Sequence, residues 1–358
     1  MKELLSRKEC SAMRGVAIIA IMLHNYCHWL RGIVRENEYT WQQFKFEEFW
    51  RLTLHPDELL PMHLLSFFGH YGVPVFLFLS GYGLVKKYEL GNLPEVGVWR
   101  FVRYNYLKLF RIFIVGFVAF IMLDAITPAM HRYAWTEVVA MLGMYANFLE
   151  HPSEVVWPGP YWYFSITLQL YILYRLIFYR WRHWGVILAA IVLCWIDQLF
   201  FENDAVTLER LRYNFIGGML PFGMGLALAR FESKLVKDWV ITQSPSLIII
   251  WAINLLLAIT FCFMFSSRFD NWLWVPAFIV WGAIPVVKLM PERVLNLFVW
   301  LGTISAAIFV THPLVRKIFV RPYIQDDMYA GLLLYIVATL LMSWIIKQII
   351  DRIPSPKL

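Results

Sequence analysis

The run MRGVAIIAIMLHNYCHW, residues 13–29, opens like a membrane helix and then carries His24, Asn25 and His28 within its apolar length. Imidazole has an unperturbed pKa of about 6.5, so it can take and return a proton near neutral pH. Arg14 stands ten residues before His24, a distance of about 15 Å along a helix axis. At about 100° per residue, His24 falls about 80° from the Arg14 face, Asn25 about 20° and His28 about 40° on the His24 side. The four side chains form one polar stripe. Ionisable groups within a span are costly, and by default they face a bundle interior or a water-filled cavity. The plainer reading is a histidine satisfied by a backbone carbonyl, with His28 at the outer interface. His24, Cys27 and His28 share a helix face, but no carboxylate or second cluster accompanies them, so no metal is expected.

The elements that must hold this stripe follow from composition. Of 358 residues, 60% are hydrophobic and 16% charged, against about 45–50% and about 25% in soluble domains. Stretches 213–229, 239–267, 271–287 and 294–315 contain no Asp, Glu, Lys or Arg. The expectation is an all-α, polytopic membrane helix bundle with spans near 12–30, 63–85, 106–126, 161–180, 184–201, 214–231, 246–265, 270–290, 294–312 and 328–350. Cys10, Cys27, Cys194 and Cys262 are scattered, mostly in apolar runs, and form neither a disulfide framework nor a zinc pattern. The net charge of +7 is spread between hydrophobic runs, which points to membrane lipids and phosphorylated ligands, with no nucleic acid expected. Lys2, Arg7 and Lys8 precede a first apolar run too long for a signal peptide and lacking a small-residue cleavage site, so it reads as a retained span.

Charge then sets the orientation, because Lys and Arg collect on the cytoplasmic side. Ten spans with the N-terminus inside give the cytoplasmic face 21 of the 32 Lys and Arg. If residues 135–149 also crossed, the split would be 16 against 16. That segment is therefore expected on the outer face without spanning, and both termini in the cytoplasm. Two outer connections, 31–61 and 127–160, are long and rich in aromatics: Trp41, Phe44, Phe46, Phe49, Trp50 and Trp157. They read either as ordered cover over an outer cavity or as interfacial anchors. Asp124 and Asp197 fall near outer helix ends and read as solvated.

Motifs in order along the chain resemble the acyltransferase 3 family of integral membrane acyltransferases. They are Arg14 with its downstream histidines, GVPVFLFLSGY at 72–82, YWYF at 161–164 leading to Tyr171, and Ile304-Ser305 through Phe309 to His312. The family pairs its first-span Arg with a catalytic His after ten intervening residues. Counted from Arg14, that position is Asn25, and His24 comes one residue earlier.

The resemblance implies one membrane acyltransferase domain over residues 1–358, in a bacterial cytoplasmic membrane. Its partners would be acyl-CoA, most commonly acetyl-CoA, and an envelope glycan or lipid-linked sugar whose hydroxyl accepts the acyl group. His24 is then the expected base, His28 the alternative one turn on, and Asn25, Tyr26 and His312 the groups that could orient it. Arg14, Arg100, Arg103, Lys108 and Arg111 would meet coenzyme A phosphates, which guanidinium forks suit, although topology alone also places cations there. Ser80-Gly81 reads as room for a pantetheine arm or as close helix packing, and Pro74 as a kink. Trp162 and Tyr163 read as interfacial anchors or as a stacking surface for a sugar. A transporter or flippase is the competing class, since buried His and Pro-containing spans also suit alternating access, but no inverted repeat is visible.

Overall fold

The computed structural model describes residues 3–91, 94–235, 245–319 and 327–358. Among these residues there is no strand. Eleven long helices build the bundle: α1 (Arg7–Cys27), α2 (Leu60–Tyr88), α3 (Val98–Ala125), α4 (Trp162–Leu173), α5 (Trp184–Phe200), α6 (Phe215–Leu235), α7 (Pro245–Phe265), α8 (Val275–Leu289), α9 (Glu292–Thr303), α10 (Ser305–Phe319) and α11 (Met328–Arg352). Among the described residues, five helices (α1, α2, α3, α7 and α11) are long and apolar enough to cross a membrane, or six spans if α9 and α10 count as one. The segment Trp135–Leu142 is a helix of 8 residues, about 12 Å long and too short to cross.

Polar contacts sort the helix ends into two groups. At one end Lys8 meets Glu292, Glu9 meets Lys288, Lys86 meets Glu3 and Glu232, and Arg230 meets Glu89. At the other, Arg316 meets Asn25, Lys317 meets Asp124, and Tyr329 donates to the carbonyl of Glu58. Asp124 is fully buried, hydrogen-bonded to the His131 amide and the Tyr133 hydroxyl as well as paired with Lys317. It is not the solvated helix-end residue that its position in the sequence implies.

Two breaks in the helices escape hydropathy. The ninth expected span, 294–312, is two helices bent by 72°, the second running on to Phe319. At the bend the Thr303 hydroxyl donates to Trp300 O (2.6 Å) and the Ser305 hydroxyl to Gly302 O (2.8 Å), the side-chain competition for carbonyls that bends helices. In α2 the α-helical stretch Leu60–Phe68 gives way to a 3₁₀ turn over Gly69–Tyr71 before Gly72–Tyr88 resumes. Pro74 accounts for it: without an N–H it cannot bond the carbonyl of His70, four residues back.

The two long connections, 31–61 and 127–160, are packed against the bundle. Phe49 of Gln43–Leu54 is buried and stacks on Phe67 at 4.1 Å, Trp41 donates to Ser266 O, and His131 stacks on Trp157 at 5.2 Å.

The core helix α1 crosses α9 at backbone contact. A Cβ on Gly15 would lie 2.0 Å from Phe298 O, and one on Gly302 1.9 Å from Ser11 O. Gly302→Ala is therefore expected to push the helices apart and cost about 1–3 kcal/mol, the usual penalty of overpacking. Gly83 has nothing within 4 Å of an added Cβ, and Gly83→Ala should be neutral or stabilising by up to about 1 kcal/mol. Melting of the two purified variants checks the contrast; equal melting would contradict the close crossing.

Candidate active site

The site forms where α1 meets the broken turn of α2. His24 is 7% exposed, and its Nδ1 lies 2.8 Å from the carbonyl oxygen of Ser66. A carbonyl only accepts, so Nδ1 carries the proton and Nε2 keeps its lone pair. Ser66 is in the last turn of Leu60–Phe68, where a helix end leaves carbonyls free for other partners. The helices approach closely because Gly69 and Gly72 lie on the contact: a Cβ at Gly69 would sit 2.7 Å from His24 Cβ, and one at Gly72 2.3 Å from Ala17 O.

Two further imidazoles adjoin His24, with ring centroids at 5.0 Å for His28 and 5.1 Å for His70. His70 Nε2 lies 2.8 Å from Glu36 Oε2, both side chains are buried, and the Trp272 indole N–H donates to Glu36 Oε1 at 2.9 Å. His24, Asn25, His28, His70, Glu38 and Trp162 all line one cavity of about 150 Å³. Glu38 lies on the connection after α1, and burial pushes its carboxyl above the usual carboxylate range. Among the described residues, no three of His, Cys, Asp and Glu come together so as to hold a metal.

The groups expected to orient His24 are used elsewhere. Asn25 Nδ2 donates to Ile21 O, and its Oδ1 accepts from Arg316. Tyr26 stacks on Tyr335 at 4.9 Å. His312 is fully buried with Nδ1 on the Ile308 carbonyl of its own helix, and it is not among the cavity's lining residues. Ser66 O fills the orienting position instead. Trp162 is buried against Tyr39 (5.3 Å) and faces the cavity, so it is no interfacial anchor; Tyr163 packs on Phe309 at 5.1 Å.

Toward the other end, Arg14 lies close enough to Tyr163, Tyr171 and Lys108 for its charge to act on them. The Tyr171 hydroxyl approaches Ser80 Oγ at 3.4 Å. Gly81 faces α6, where a Cβ would be 2.4 Å from Phe222 O, so its bare Cα makes room for a helix. A cavity of about 270 Å³ is lined by Tyr104, Lys108, Arg111, Thr303, Lys347 and Ser355 among others. Arg111 donates to Ile350 O and to Ser355 Oγ, Arg100 donates to the carbonyl of Leu358, and Arg103 is exposed. A third cavity of about 350 Å³, between α1, α2, α7 and α8, is almost wholly apolar.

The family model for an acyltransferase domain, that of the acyltransferase 3 family, matches residues 8–348. The chain belongs to this family. No curated protein and no solved structure matches it. Membership makes the chain a membrane acyltransferase, and the match spans both the imidazole cluster and the cavity beside Lys108. Sequence reasoning missed Ser66, His70, Glu36 and Arg316. The one signal in reach was Pro74, whose missing N–H marks the turn that holds His70.

The Glu36–His70 pair sets a stability expectation. Removing one partner of a buried pair leaves a polar group uncompensated and typically costs about 3–5 kcal/mol. Glu36→Ala should lower the melting temperature of the purified protein markedly, whereas Glu47→Ala, exposed on Gln43–Leu54, should not. Equal melting of the two variants would mean that the pair holds nothing together.

Proposed function

We propose that the protein is an acyl-CoA-dependent O-acyltransferase, with His24 as general base and an envelope glycan or lipid-linked sugar hydroxyl as acceptor. The observation that carries this reading is the Ser66 carbonyl on His24 Nδ1, which leaves Nε2 basic in a cavity that Trp162 also lines. Nε2 takes the hydroxyl proton as the oxygen attacks the thioester carbonyl. The carbon–oxygen bond forms, the carbon–sulfur bond breaks, and the departing thiolate recovers the proton from His24. Acetyl is the expected acyl group. The donor enters from the end that holds Arg14, Lys108 and Arg111, with its phosphates at the basic cavity and its pantetheine arm rising past Ser80, Tyr171 and Tyr163. Arg14 and His24 are ten residues apart on one helix, so the arm has about 15 Å to cover.

The proposal includes ten crossings of the cell membrane, a bacterial cytoplasmic membrane, with α9 and α10 as one broken span and both ends of the chain cytoplasmic. The alternating helix ends and the 21 to 11 split of Lys and Arg support it. A cysteine at position 154, on the exposed outer connection, should react with impermeant reagents from outside intact cells. Reaction from the cytoplasm alone would invert the topology.

For the chemistry, His24→Ala should lose about 10²–10⁴ in turnover, the usual share of acid–base catalysis, when purified protein is assayed at saturating acetyl-CoA with a defined glycan. His28→Ala should lose less. Full activity in His24→Ala with loss in His28→Ala would move the base to His28. Full activity in both would refute histidine catalysis here.

A further inference from the structure

Arg316 and Lys317 are neighbours in the last turn of α10, and they are treated differently. Lys317 is paired with Asp124. Arg316, 8% exposed, meets no carboxylate among the described residues: its Nη1 donates to Asn25 Oδ1 at 2.9 Å, and its guanidinium lies 4.8 Å from the centre of the Trp29 ring. An amide oxygen and an aromatic face return less than the burial of an unpaired ion costs. Both Asn25 and Trp29 line the imidazole cavity, so the under-compensated cation stands at its edge.

The charges of Arg35 and Lys45, with that of Arg316, act on His28. Arg35 is exposed and Lys45 half-buried, and burial holds the Lys45 ammonium below its usual range. The carboxylates nearby cancel these charges only in part, the Glu36 charge acting on Lys45. Glu36 is engaged by His70 and Trp272, and burial pushes the Glu38 carboxyl up, toward its neutral form. A concentration of cations at an outer helix end also runs against the cytoplasmic preference of Lys and Arg, which points to a ligand.

We infer that Arg316, reinforced by the charges of Arg35 and Lys45, forms an anion site at the edge of the His24 cavity, and that the acyl acceptor carries a phosphate or carboxylate that docks there. This rests on the acyltransferase reading in calling the ligand the acceptor, and on the proposed topology in placing the site toward the outer side. The shared chemistry is a singly or doubly charged oxyanion; a sugar phosphate and a uronic acid are its two sources. Guanidinium suits both because its fork bonds two oxygens at once.

The test is binding, measured on His24→Ala protein in nanodiscs so that turnover plays no part. The probes are N-acetylglucosamine 1-phosphate, glucuronic acid and neutral N-acetylglucosamine. At least one anionic sugar should bind about ten- to a hundredfold more tightly than the neutral one, the worth of a charge-assisted hydrogen bond, and the tighter of the two names the source. Arg316→Gln should abolish that preference, and Arg316→Lys should keep part of it. Arg51→Gln, exposed on Gln43–Leu54, should leave it unchanged. Lys45→Gln is read in parallel, so that poor folding of an Arg316 variant leaves a second measurement, with a severalfold loss expected. Equal binding of charged and neutral sugars, or a preference that survives both Arg316→Gln and Lys45→Gln, would overturn the inference. Anion binding without acyl transfer by the unaltered protein would leave this site standing and remove the catalytic reading.

Discussion

The approach of α1 to the broken turn of α2 is the contact on which the rest of the site depends. Gly69 and Gly72 bring the two backbones together at His24 and Ala17. Pro74 interrupts the helix four residues after His70, and the Ser66 carbonyl, in the last turn before that break, accepts from His24. One local defect therefore performs three tasks. It supplies a backbone acceptor inside an apolar bundle, where an unpaired polar group costs several kcal/mol. It fixes which nitrogen of His24 holds the proton, and it swings His70 toward Glu36.

Around this contact the molecule separates charge by depth. Arg14 lies near Lys108 of α3, the imidazole of His24 stands about 15 Å further along α1, and Arg316 is beside Asn25. Between the charged levels stand hydroxyls and aromatic rings, Ser80, Tyr171, Tyr163 and Phe309, which present no full charge to a passing thioester. On the proposed reading, two anionic substrates reach one base from opposite ends without having to pass each other.

The all-α bundle and its five longest apolar helices were legible in the sequence, because a membrane helix needs a long apolar run whatever it packs against. The short Trp135–Leu142 helix was legible too, since an eleventh crossing erased the charge bias. The bend between α9 and α10 was hidden, because hydroxyl side chains caused it inside an apolar run that hydropathy treats as continuous. Asp124 was misjudged because its partner Lys317 is far along the chain. In the site, residue types on α1 revealed the stripe, but the partners that shape it come from elsewhere: Ser66 and His70 from α2, Glu36 from the connection after α1, Arg316 from α10. Single-helix geometry orders side chains around an axis and says nothing of what stands opposite each.

That limitation bears on the one-residue offset between His24 and the family spacing. Helix α1 is unbroken from Arg7 to Cys27, so moving an imidazole from position 25 to 24 turns it by about 100° and lowers it by about 1.5 Å. Position 25 faces α10 and Arg316; position 24 faces α2 and Ser66. With the imidazole one residue earlier, Asn25 is free to hold the guanidinium through its amide oxygen, a bond that a protonated imidazole could not accept. The offset thus separates two duties that a single residue at position 25 could not combine: His24 is oriented by a neutral backbone carbonyl on one side of the helix, and the buried cation is steadied on the other.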